Sequence, residues 1–125
     1  MNTLQDLIKK YAAQYKEQVV AWRRHIHSHP ELSGEEKNTS LFIQKVLGEL
    51  GIPFVNDVSD YAVIGKIEGT QPGPVIALRA DIDALPIHET TGLPFASEND
   101  GVMHACGHDS HIAILLGAAA FLQSI

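Results

Sequence analysis

The chain has 125 residues, enough for one domain with a sizeable core, since a chain of about this size buries roughly two-thirds of its unfolded surface. Its hydrophobic fraction of 45% and charged fraction of 19% are ordinary for a globular protein, and a net charge of −6 argues against nucleic acid or an anionic membrane as partner, because nothing would neutralise phosphates. The single cysteine excludes an intrachain disulfide and suits a reducing, cytoplasmic setting.

The N-terminus shows no apolar stretch after a basic start, as a secretory leader would. Leu4, Ile8, Tyr11, Tyr15, Val19, Trp22 and Ile26 then recur at steps of four and three, which predicts a long amphipathic helix that Pro30 ends. His25, His27 and His29 alternate near its C-terminus. Helical spacing spreads them around the axis, so they read as local packing or as favourable charges at the negative end of the helix dipole. A second helix follows, with Ser33 as its expected cap and Glu36 as the capping-box carboxylate. Phe42, Ile43, Val46, Leu47 and Leu50 form its apolar face, Gly51 fits the left-handed position past its end, and Pro53 blocks continuation.

Strand signals come next. Phe54-Val55 is a weak one, and 61–67 is a stronger β-branched and aromatic run. After the turn-forming Thr70-Gln71-Pro72-Gly73-Pro74, the continuous apolar run Val75-Ile76-Ala77-Leu78 predicts a central strand over 75–80, buried on both faces. It would deliver Arg79, Asp81 and Asp83 at its C-terminal end, the edge where ligands bind in open α/β sheets. Residues 83–103 read as a long loop, a kind that is usually functional or disordered.

A last helix is expected from Gly107 or His108 through Leu122, lying against the central strand. Its apolar run, 112–122, is shorter than the roughly 20 residues that a bilayer requires. The helix stops at Ile125 without a terminating residue, which reads as a fragment boundary that would leave Leu115, Leu116 and Phe121 short of cover.

The chemistry concentrates in Met103-His104-Ala105-Cys106-Gly107-His108-Asp109-Ser110-His111. Thiolate, imidazole and carboxylate are the groups that bind transition metals. Cys106 and His108 could share a metal only across a bend, which Gly107 allows. Two ligands are too few, so others must come from elsewhere, with His104, His111, Asp81 and Asp83 nearby. Asp83 is the candidate for orienting a metal-bound histidine through its other ring nitrogen. The bland readings stand beside these: Cys106 as a small buried hydrophobe, and Asp81 and Asp83 as turn residues. A thiol hydrolase with Cys106 as nucleophile would need an oxyanion hole that the sequence does not locate.

Three motifs occur in order: Arg-Arg-His-Ile-His-Ser-His-Pro-Glu-Leu-Ser at 23–33, Arg-Ala-Asp-Ile-Asp-Ala-Leu-Pro at 79–86 and His-Ala-Cys-Gly-His-Asp-Ser-His-Ile-Ala at 104–113. Together they resemble the N-terminal part of the metal-dependent N-acyl-amino-acid amidohydrolases. That family includes the hippurate hydrolases and the indoleacetyl-amino-acid hydrolases, and is related to aminoacylase and the dimetal carboxypeptidases. The resemblance implies an α/β fold: a partial dimetal-exopeptidase-like catalytic domain, 1–125, with two N-terminal helices and a C-terminal helix packed on a small mixed sheet. It further implies two divalent metal ions, Zn or Mn, in the intact enzyme, a small N-acyl amino acid substrate, and a possible homo-oligomer. By the same resemblance Cys106 and His108 are metal ligands, and Asp83 is the catalytic aspartate behind the metal site. The paired glutamates that supply the general base, the later histidine ligands and the inserted lid domain of that family have no counterpart in these residues. The alternative is a non-catalytic orphan fragment or a small metal-binding module.

Overall fold

The computed structural model describes residues 3–125. Helix α1 runs Leu4–Ser28. Thr3 begins it with a reciprocal cap: the Asp6 amide donates to Thr3 Oγ1 at 3.2 Å, and the Thr3 amide donates to the Asp6 carboxylate at 3.1 Å. It stops at His29, before Pro30, where the proline bars a further turn. Helix α2 runs Lys37–Glu49 and is followed by Gly51 in the left-handed region at φ 70°.

The start of α2 differs from the expectation. Ser33 does not cap it. Instead the Glu31 carboxylate accepts from the Thr39 amide at 2.6 Å, the Thr39 hydroxyl at 2.7 Å and the Asn38 amide at 3.1 Å. A carboxylate at this end satisfies unpaired N–H groups and faces the positive end of the helix dipole. Glu36 does reach back, but to the Gly34 amide at 2.8 Å.

The sheet is a two-stranded antiparallel pair, β1 (Phe54–Val55) with β2 (Ile64–Gly65), and no parallel strand makes it mixed among the described residues. The larger correction concerns 75–80. No strand forms there, and Val75, Ile76 and Leu78 are 99%, 80% and 61% exposed. An apolar run favours burial, yet a central strand also requires a ladder on each side. None of the described strands lies beside this segment to provide one.

Helix α3, His108–Ser124, therefore lies along α1 instead of against a central strand. The two approach so closely that a Cβ placed at Gly117 would stand 2.8 Å from Val19 Cγ2. Trp22 and Ile26 of α1, Val46 and Leu47 of α2, Ile52, and Ile112, Ala113, Leu116 and Ala120 of α3 form the buried core. On α3, Leu116 is covered while Ile114 and Leu122 remain exposed. No helix among the described residues is long and apolar enough to cross a membrane.

Residues 83–103 contain no regular helix or strand, but they are tied down. The Ala84 amide donates to the Glu31 carbonyl at 2.8 Å, and Leu85 and Met103 exchange backbone hydrogen bonds at 2.9 Å each way. The Glu98 amide donates to the Ser28 carbonyl at 2.9 Å. Phe95 sits beneath the guanidinium groups of Arg23 and Arg24, at 5.2 and 4.8 Å from its ring centre. The loop thus lies on the C-terminal end of α1, and these ties place Asp83 where the sheet edge was expected to.

Candidate metal centre

Gly107 precedes α3 at φ 96°, ψ 13°, a left-handed conformation that a side chain would strain. This turn sets His108 as the first helical residue, and its imidazole faces Asp83. Nδ1 of His108 lies 2.9 Å from the Asp83 carbonyl oxygen and 3.0 Å from its carboxylate Oδ1. Both partners are acceptors, so Nδ1 carries the proton and donates to them. In the neutral ring that leaves Nε2 with a free lone pair, the form in which a histidine binds metal.

Cys106 lies in the turn itself and is exposed, so the reading of it as a buried hydrophobe does not apply. No hydrogen bond joins it to His108 or Asp83 among the described residues. Asp81 points to Arg79 instead, pairing at 3.0 Å on the exposed surface. His111 is exposed one turn into α3, its ring 6.0 Å from that of His108. Among the described residues no group of three or more His, Cys, Asp or Glu side chains could together hold a metal ion. One thiol and one correctly tautomerised imidazole make a donor pair suited to zinc, and they fit part of a coordination shell that needs three or four protein ligands.

Behind the turn is a buried polar cluster that helical spacing alone did not reveal. Asp109, the residue after His108, is 1% exposed and receives His27 Nδ1 and Arg23 Nε, each 2.8 Å from Oδ2. Burial pushes the Asp109 carboxyl up, but the His27 hydrogen bond, the Ser110 amide and the Arg23 charge outweigh it and hold the group below the usual range. Nε2 of His27 lies 3.0 Å from Glu89 Oε1. Glu89 also accepts from Thr91 Oγ1 and from the Ser97 amide. Burial raises its pKa, and these bonds more than offset that. His104 is buried, with neither ring nitrogen hydrogen-bonded, and burial pushes its pKa down against the opposing pull of the Asp109 charge.

His27 therefore departs from the reading as local packing. His25 does follow it, stacked between His29 and Phe42 at ring distances of 4.4 and 4.2 Å. The available signal was position: Arg23 and His27 are one turn apart and flank the Trp22–Ile26 stripe, so they border the buried face. Nothing in the sequence tied them to Asp109.

Residues 77–125 match Peptidase family M20/M25/M40. An N-acyl-L-amino acid amidohydrolase of Geobacillus stearothermophilus is 47% identical over 118 residues, covering 94% of this chain and 32% of the relative. An N-acetyl-L-cysteine deacetylase of Bacillus subtilis (strain 168) is 55% identical over 108 residues, covering 86% of this chain and 26% of that protein. The backbone superposes on the crystal structure of a dinuclear metal binding peptidase of the M20 family from Bacillus subtilis with a TM-score of 0.85 and 47% identity, over 90% of this chain and 32% of that one. Residues 77–125 thus match Peptidase family M20/M25/M40 in sequence, the backbone resembles an M20 structure, and the chain spans between a quarter and a third of the length of the relatives it matches.

Proposed function

We propose that this chain carries part of the metal site of a hydrolase that cleaves amide bonds in N-acyl amino acids or short peptides. Cys106 and His108 are its metal ligands, and Asp83 is the aspartate that orients His108 at the reacting centre. The observation that carries the reading is the pair of contacts from His108 Nδ1 to Asp83, which leaves Nε2 with a free lone pair on the residue two positions after Cys106. The substrate class rests on the named activities of the relatives, and the pairing of two ions on the dinuclear neighbour.

A divalent metal bound here supplies Lewis-acid polarisation of the amide carbonyl and activation of water. The chain's own contribution is geometric. Gly107 turns the backbone, Asp83 fixes the tautomer and direction of the His108 ring, and the Cys106 thiol, once deprotonated, offers a soft donor that favours zinc over manganese.

Two experiments test this. In the 125-residue chain, Co²⁺ should produce a thiolate charge-transfer absorption that Cys106→Ala removes and His108→Ala weakens. In a chimera with these residues replacing the matching stretch of the Geobacillus amidohydrolase, metal-dependent release of amino acid should persist and disappear on Cys106→Ala. The chain by itself should show no such release, because the resemblance assigns the general base to residues it lacks, a loss of order 10²–10⁴ in rate. Full activity of the chimera with Cys106→Ala would overturn the ligand assignment.

A further inference from the structure

His27 holds two buried carboxylates at once. Its Nδ1 is 2.8 Å from Asp109 and its Nε2 is 3.0 Å from Glu89, and these side chains are only 1% and 3% exposed. An ionised carboxylate can only accept, so each of these contacts is made by a ring N–H of His27 donating to the carboxylate. The two carboxylates belong to different segments. Asp109 follows His108 directly at the start of α3, whereas Glu89 lies in the 83–103 loop that begins at Asp83.

We propose that His27 is a positioning residue: one imidazole on α1 sets the Cys106–His108 turn against the loop that carries Asp83. The inference rests on the reading of Cys106 and His108 as ligands and adds to it the part that fixes their place. Arg23 is a weaker link between the same parts: its guanidinium reaches Asp109 and lies 5.2 Å from the ring of Phe95 in the loop, but makes no hydrogen bond there, and its side chain is 35% exposed. Glu89 passes the restraint on by accepting the Ser97 amide at 3.0 Å, so the loop is gathered on the same carboxylate.

The two arms can be cut separately. The amide nitrogen of asparagine falls near Nδ1 of a histidine, and that of glutamine near Nε2. His27→Asn therefore keeps a donor for Asp109 and drops Glu89, His27→Gln does the reverse, and His27→Phe drops both.

Hydrogen exchange on the metal-free 125-residue chain reads the result. In His27→Gln and His27→Phe the His111 amide, bonded to the Gly107 carbonyl at 3.1 Å, should exchange faster by about tenfold, the loss expected for a hydrogen bond to a charged group. Exchange at Leu116, in the middle of α3, should stay near the unaltered rate. His27→Asn should restore His111 and release the Ser97 amide instead. Co²⁺ affinity should fall by about tenfold in His27→Gln and return in His27→Asn.

Equal acceleration at His111 and Leu116 in every variant would mean that His27 only supports the core, and would overturn the proposal. Unchanged exchange at His111 in His27→Phe would overturn it too. If the unaltered chain gives no Cys106-dependent Co²⁺ signal while exchange follows the expected order, the ligand reading fails and the positioning stands. A normal signal with exchange and affinity indifferent to His27 gives the converse.

Discussion

The His108 imidazole is held by both the main chain and the side chain of Asp83, with Nδ1 at 2.9 Å from the carbonyl oxygen and 3.0 Å from the carboxylate. Replacing the side chain therefore removes only one of two acceptors. Asp83→Ala should keep the His108 tautomer through the carbonyl but lose ring orientation and basicity. Metal affinity should drop by about tenfold, the low end for residues that hold a ligand in place. Titration with Co²⁺ measures it, and an unchanged affinity would show that the carbonyl alone suffices.

Gly117 and Gly48 should respond oppositely to alanine. A Cβ at Gly117 meets Val19 Cγ2 at 2.8 Å, and a β-branched side chain has little freedom to move aside. Overpacking typically costs 1–3 kcal/mol, against about 1 kcal/mol gained in helix propensity, so Gly117→Ala should be destabilising by about 1 kcal/mol. Gly48 in α2 has open space around it, and Gly48→Ala should stabilise by about 0.4–1 kcal/mol. Urea midpoints of the two variants give the comparison.

Glu31 does the capping that Ser33 was expected to do. Glu31→Ala strips acceptors from the Asn38 and Thr39 amides and should cost about 0.5–2 kcal/mol, the range for loss of an N-terminal cap. Ser33→Ala should cost little. Glu31→Gln, which keeps an acceptor but no charge, should fall between. Thermal melts of the three variants would rank them, and a larger loss for Ser33→Ala would reverse the assignment.

Acid should loosen the loop through Glu89. Its pKa is held below the ordinary 4.5: burial pushes it up, but hydrogen bonds from Thr91, the Ser97 amide and His27 pull it further down. A depressed folded value means that the stabilisation is complete above the ordinary range and is lost as the pH falls below it through the folded value. Stability should therefore decline as the pH falls through and below the ordinary carboxylate range, and Glu89→Gln should flatten that decline while lowering stability at neutral pH. Urea denaturation across the range tests both limbs.

The helices were legible because their signals are local. Pro30, Gly51 and the apolar spacing of α1 and α2 mark structure within a few residues, and Gly107 before His108 announced the turn at α3. That no strand forms over 75–80 was not legible, because apolar composition reports a preference for burial while a ladder depends on what lies alongside. The Asp83–His108 contact could be anticipated from residue types and motif order. The His27 bridge could not, since its partners lie 62 and 82 positions away and only the packing of α3 and of the 83–103 loop on α1 brings them together.

That distance has a kinetic meaning. Arg23 and Asp109 are separated by 86 positions, so the turn bearing Cys106 and His108 acquires its final place only when the two ends of the chain meet. The capped α1 and α2 can form as soon as they are synthesised, whereas closing a loop of this length is slow and costs entropy that local contacts cannot repay. The turn of Cys106 and His108 is thus among the last parts to be ordered. Folding does not cover Cys106, which stays exposed; what the late α1–α3 contact adds is the place of its turn, so a newly made chain carries a reactive thiol on a turn not yet set.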